Sequence, residues 1–128
     1  MAQKPGILGS PAPQWSISEW ANLDRATSRL EIDDFRGKIL YLYCFQSWCP
    51  GCHATGFPTL QVVSERFKDD PDVAFVTVQT SFEGFQANTF ERAKEVMKKY
   101  RLTIPLGQSG THSKSSALMA RYRTGGTP

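Results

Sequence analysis

An α/β domain built around a parallel strand pair is the fold that the sequence predicts, and three observations carry it. Ile39–Phe45 is an unbroken apolar and aromatic run, the composition of a strand buried on both faces. Phe57, Leu60, Val63, Ser64 and Phe67 then recur at helical spacing, predicting an amphipathic helix that ends near Lys68. Val73–Thr80 is mostly apolar and rich in β-branched residues, the pattern of a second buried strand. Strand, helix and strand at that spacing make a right-handed βαβ unit.

The remaining elements follow in order. Residues 1–14 are rich in Pro, Gly and Ser and are expected to form an extended arm, with 15–128 as one folded domain. Trp15, Ile17, Trp20 and Leu23 fasten the lead-in to the body. Leu30, Ile32 and Phe35 alternate with polar residues around Asp33 and Asp34, predicting a short strand or strand-like segment before Arg36-Gly37-Lys38 turns into the run at Ile39. Residues 81–87 read as a loop containing Phe82, Gly84 and Phe85. Asn88 with Glu91 has the spacing of a capping box and opens a helix to Tyr100. Its stripe of Phe90, Ala93, Val96, Met97 and Tyr100 is core, not a cofactor box. Residues 102–106, broken by Pro105, suit an edge strand. The polar stretch 108–116 reads as a loop in which His112 is a surface residue. Leu118 and Tyr122, one turn apart, mark a short helix near the end.

Composition excludes several classes. With 128 residues the chain is large enough for one core without disulfide staples. Its net charge is only +3, and its Lys and Arg residues fall mostly on helical faces, so no nucleic-acid footprint is expected. No segment is long enough for a membrane span. Residues 1–13 lack an apolar signal-peptide core, so the expectation is a cytoplasmic protein, or a periplasmic one if a leader was removed. Three cysteines rule out a disulfide framework as the organising principle.

The chemistry centres on Trp48-Cys49-Pro50-Gly51-Cys52-His53, at the junction between the first strand and the helix. Cys49 falls at the helix N-cap and Pro50 at the first helical position, where a missing N–H costs nothing. Free N–H groups of the first turn, Cys52's among them, and the helix dipole both favour a thiolate at Cys49. Cys52, one turn inside, is more shielded and suits a resolving thiol. Gly51 leaves the approach of a partner disulfide uncrowded. The pattern thus reads as a dithiol in which Cys49 attacks and Cys52 resolves.

Competing readings of the same residues are weaker. Cys49-Pro50-Gly51-Cys52-His53 matches a haem-attachment pattern, but a helix packed on a buried strand has little room for haem. Structural zinc needs two further ligands, and only Cys44, His53 and His112 remain. Cys44 reads as a small, free core residue. No metal and no cofactor are therefore expected.

The chain also resembles the thioredoxin superfamily, in its TlpA-like and redoxin branch. The likeness is carried by Arg36-Gly37-Lys38, by Phe45-Gln46-Ser47-Trp48-Cys49-Pro50-Gly51-Cys52, by Phe57-Pro58, by the strand at Val73 and by Tyr122 before Gly126-Thr127-Pro128. It implies a thioredoxin-like fold with a central mixed sheet flanked by helices. It also implies that Thr127-Pro128 is the cis-proline element beside the dithiol, which, with Trp48, Pro50 and Gly51, shapes the site. Many relatives carry a carboxylate near the dithiol as proton acceptor; the corresponding positions here are Tyr43 and Thr55. Pro58 falls one residue later than the helix proline of thioredoxins. His53 is expected to lie along the helix surface with a minor tuning role.

The resemblance implies a thiol–disulfide oxidoreductase acting on a protein or small-molecule disulfide or dithiol. The alternatives are a peroxiredoxin-like thiol peroxidase, whose Thr is replaced here by Gln46, and a non-catalytic thioredoxin-fold binding module. The fold implied continues past its cis-proline into a β-hairpin and a last helix, so the chain is expected to be truncated. Without the hairpin, Ile39–Phe45 becomes an exposed edge, through which self-association is an expectation.

Overall fold

The computed structural model describes residues 5–111 and 114–127. Its sheet contains β1 (Glu19–Ala21), β2 (Ile39–Phe45), β3 (Val73–Thr80) and β4 (Leu106–Ser109) in the order β1-β4-β3-β2. β2, β3 and β4 run parallel, with Ile39 opposite Val73 and Thr77 opposite Leu106, while β1 is antiparallel to β4. The sheet is mixed, as expected, and both predicted buried strands have the predicted bounds.

Alternation along β2 divides the interior into two cores. Tyr41, Tyr43 and Phe45 face α1 (Phe57–Arg66) and α2 (Phe90–Lys99), where Phe57, Leu60, Ala93 and Met97 are buried. Leu40, Leu42 and Cys44 face the opposite side, where Trp15 and Ile17 of the lead-in and Leu118 of α3 (Ala117–Tyr122) cover the sheet. Each fully buried large side chain, such as Phe57 or Leu60, contributes roughly 2–3 kcal/mol by leaving water. The lead-in is tied down as well, since Tyr122 Oη donates to Pro13 O at 2.7 Å and Trp15 Nε1 donates to Tyr122 Oη at 2.9 Å.

Several local expectations are corrected. Ile32–Phe35 is a 3₁₀ turn rather than a strand, because acidic side chains capture its backbone donors. Glu31 Oε1 accepts from Ile32 N at 3.0 Å and Asp34 Oδ2 from Glu31 N at 2.8 Å, a closed capping box that overrides the alternation. The cap of α2 is Thr89, whose hydroxyl accepts from Arg92 N at 3.2 Å, so Asn88 is free for the interior. The strand expected over 102–106 begins only at Leu106 and lies inside the sheet between β3 and β1. Pro105 precedes it, and its carbonyl accepts from Thr77 N at 2.9 Å. Gln108 and Ser109 read as loop residues by polarity, yet both are buried because polar side chains receive them. Burial of β2 on both faces holds only at its C-terminal end, since Ile39 is 69% exposed. Among the described residues β2 is a sheet edge, bordered by a cleft of about 660 Å³ that residues 124–127 flank.

Candidate functional site

β2 delivers the chain to the dithiol through a tight turn, in which Cys49 N donates to Gln46 O at 3.0 Å. Pro50 and Gly51 already have helical geometry, and Cys52–Gly56 forms a π turn that runs directly into α1. Cys49 thus sits immediately before the first turn, where backbone donors have no intrahelical acceptor. Cys52 N donates to Cys49 Sγ at 3.3 Å. Both cysteines are buried and free, with Cys52 fully enclosed.

The two thiols differ in acidity. Burial works against a charge on Cys49, but hydrogen bonds from the Cys52 and Thr127 side chains and from the Cys52 and Gly51 amides outweigh it and lower its pKa. Burial pushes the Cys52 thiol up to about 11, and the hydrogen bond with Cys49 adds to the rise. Cys44, on the far side of the sheet, is half-buried, and desolvation raises it to about 12.

The residues read as shaping the site fall in different places. Trp48 is 41% exposed beside the dithiol, with its indole against Gly84, where a Cβ would lie 3.1 Å from Nε1. Pro50 is exposed and Gly51 half-buried on the approach to Cys49. Thr127 reaches the site, since Cys49 Sγ donates to its carbonyl at 3.5 Å and Gln46 Nε2 to its hydroxyl at 3.5 Å. Pro128 and His112 lie outside the described residues.

Two expectations about neighbours change. His53 does not lie along the helix surface; its ring turns inward, with Nε2 2.6 Å from Ser47 O and Nδ1 2.6 Å from Tyr100 Oη. Those two partners, one on the turn before Cys49 and one after α2, outcompete water for the imidazole. Beneath the turn lies a polar network that hydrophobic patterning does not reveal. Gln46, Gln79, Asn88 and Gln108 are buried, and Gln79 Nε2 donates to Gln108 Oε1 at 2.9 Å. Ser47 donates to Gln79 Oε1 through its amide, at 2.9 Å, and through its hydroxyl.

The mixed sheet and its flanking helices have a counterpart among solved structures. The crystal structure of the thioredoxin-like superfamily protein SPOA0173 matches at 36% identity and a TM-score of 0.80, over 91% of this chain and 74% of that one. The chain belongs to the thioredoxin-like superfamily. A second solved structure, named a thiol-disulfide isomerase from Corynebacterium glutamicum, matches at 26% identity and a TM-score of 0.78, over 95% of this chain and 77% of that one. A further solved structure, named a thiol-disulfide oxidoreductase from Bacteroides fragilis, has the same fold at 19% identity and a TM-score of 0.62, over 86% of this chain and 72% of that one. No family model matches the chain, and no curated protein matches it.

Proposed function

We propose that this superfamily member is a thiol–disulfide oxidoreductase of the TlpA-like and redoxin branch, with Cys49 as nucleophile and Cys52 as resolving thiol. The carrying observation is the opposed acidity of two thiols joined by the 3.3 Å contact from Cys52 N to Cys49 Sγ. The Cys49 thiolate attacks one sulfur of a partner disulfide, whose second sulfur leaves as a thiolate and takes a proton from water. Cys52 then loses its proton and attacks Cys49, forming the Cys49–Cys52 bond and releasing the partner's first sulfur with its electron pair. The partner is reduced by two electrons and the protein is oxidised by two.

Trp48 offers an exposed aromatic surface to the bound partner, and Thr127 lies where a partner's backbone would run. The name of the relative at 26% identity, a thiol-disulfide isomerase, supports a disulfide or dithiol as substrate. The peroxidase alternative is disfavoured by Gln46, whose Oε1 is occupied by Phe82 N, Glu83 N and Asn88 Nδ2. A Cys52→Ser variant should accumulate a mixed disulfide on Cys49 when mixed with a disulfide-bonded reporter protein, visible by mass and reversed by dithiothreitol. A variant that forms no adduct while Cys49 is reduced and accessible would sink this reading.

A further inference from the structure

Tyr43 lies on the helix-facing side of β2 and is only 7% exposed. Its ring packs edge-on to Phe57 at 5.1 Å and stacks on Phe45 at 5.9 Å. The hydroxyl leaves that apolar cluster and enters the redox helix, donating to Cys52 O at 3.2 Å, and the Cys52 side chain is near enough to help hold the phenol's pKa up. The same carbonyl also accepts from Phe57 N, five residues on, the bond that makes Cys52–Gly56 a π turn. In a regular α-helix that carbonyl would take the N–H of residue 56. A side chain inserted into the helical ladder is a recognised cause of helix distortion, and single π turns sit frequently at functional sites.

Gly56 shows that the insertion is accommodated by design of the sequence. A Cβ at that position would overlap the Tyr43 hydroxyl and lie 2.7 Å from Cζ. The phenol therefore fills the space of an absent side chain. No Asp, Glu, Lys or Arg is buried among the described residues, so no enclosed carboxylate stands beneath the dithiol.

We infer that Tyr43 is a positioning residue for Cys52: its hydroxyl opens the helix into the π turn, sets Cys52 behind Cys49, and turns its one proton from the Cys52 carbonyl to the Cys52 sulfur as that sulfur becomes anionic. This role rests on the proposed oxidoreductase reading. Tyr43 keeps its own proton, since burial and the neighbouring Cys52, Cys49 and Tyr41 all raise its pKa. It is a donor to the Cys52 thiolate and not a base. In the resolving step the Cys52 proton passes to solvent, the Cys49–Cys52 bond forms, and the partner's thiolate is protonated by water. The net effect carries one proton from Cys52 to the partner.

Tyr43→Phe keeps the ring and removes only the donor. Rapid mixing with a disulfide reporter should show Cys49 attacking at its normal rate while the mixed disulfide persists about tenfold longer, with its release displaced to higher pH. In a Cys49→Ala background the same change should move the alkylation profile of Cys52 upward by about one pH unit. Gly56→Ala should destabilise the wild type more than the Tyr43→Phe protein, because the closest overlap, with the hydroxyl, is then gone and only that with the ring remains. An unaltered mixed-disulfide lifetime, an unmoved Cys52 profile, or an equal cost of Gly56→Ala in both backgrounds would overturn the role. If the wild-type protein formed no mixed disulfide, the oxidoreductase reading would fall while the alkylation profile still decided what Tyr43 does.

Discussion

Gln46 and Asn88, 42 residues apart in sequence, meet beneath the redox turn, where the Asn88 amide donates to Gln46 Oε1 at 3.1 Å. The same oxygen accepts from Phe82 N at 3.1 Å and Glu83 N at 3.3 Å, while Asn88 Oδ1 accepts from Trp48 N at 3.3 Å. Two uncharged amides thus lock the turn carrying Cys49 onto the loop after β3. Because both side chains are buried, water cannot replace a lost partner.

Gln46→Ala should therefore cost about 3 kcal/mol, the loss of three hydrogen bonds, from Phe82 N, Glu83 N and Asn88 Nδ2, at about 1 kcal/mol each. Urea denaturation of the reduced protein measures it. A midpoint equal to that of the wild type would show that the loop after β3 is held by other contacts.

Alkylation at neutral pH should modify Cys49 before Cys52 and Cys44, following its lowered pKa and their raised ones. Mass-resolved labelling across a pH series checks the order, and earlier labelling of Cys52 than of Cys49 would reverse the assigned roles.

The same shifts set a stability profile for the reduced protein. Cys49, with a lowered pKa, contributes stability that is present above the ordinary thiol range and lost as pH falls through its folded value. Cys52 at about 11 and Cys44 at about 12 act in the opposite sense. Above an unfolded thiol pKa of ~8.5 the unfolded chain releases these protons first, so stability should decline with rising pH until the folded thiols also ionise. Chemical denaturation at pH 8, 9 and 10 tests the decline, and a flat profile would contradict the raised values.

Oxidation should form one disulfide, Cys49–Cys52, and leave Cys44 reduced. Cys44 packs with Val76, Val78 and Leu118 on the opposite face of the sheet from the dithiol. Peptide mapping after alkylation of the oxidised protein reads this directly, and a bridge from Cys44 to either partner would contradict the two-sided sheet.

The amino-acid sequence by itself determined the elements whose signal is local and periodic. The runs Ile39–Phe45 and Val73–Thr80, the stripe of α2, and Cys49 ahead of Pro50 at a helix start were all legible without coordinates. Hydrophobic periodicity and N-terminal helix chemistry depend on neighbours a few residues away, so they survive in a one-dimensional reading. Only the tertiary structure decided where polar side chains went. Gln108 reads as a loop residue, Asn88 as a helix cap, and Gln46 and Gln79 as the polar ends of apolar runs, and their joint burial depends on partners up to 42 residues distant. The inward turn of His53 onto Ser47 and Tyr100, and the entry of the Tyr43 hydroxyl beside Gly56, have the same origin. A buried polar group is stable only when a specific donor or acceptor meets it in space, and that meeting has no period in the sequence to announce it.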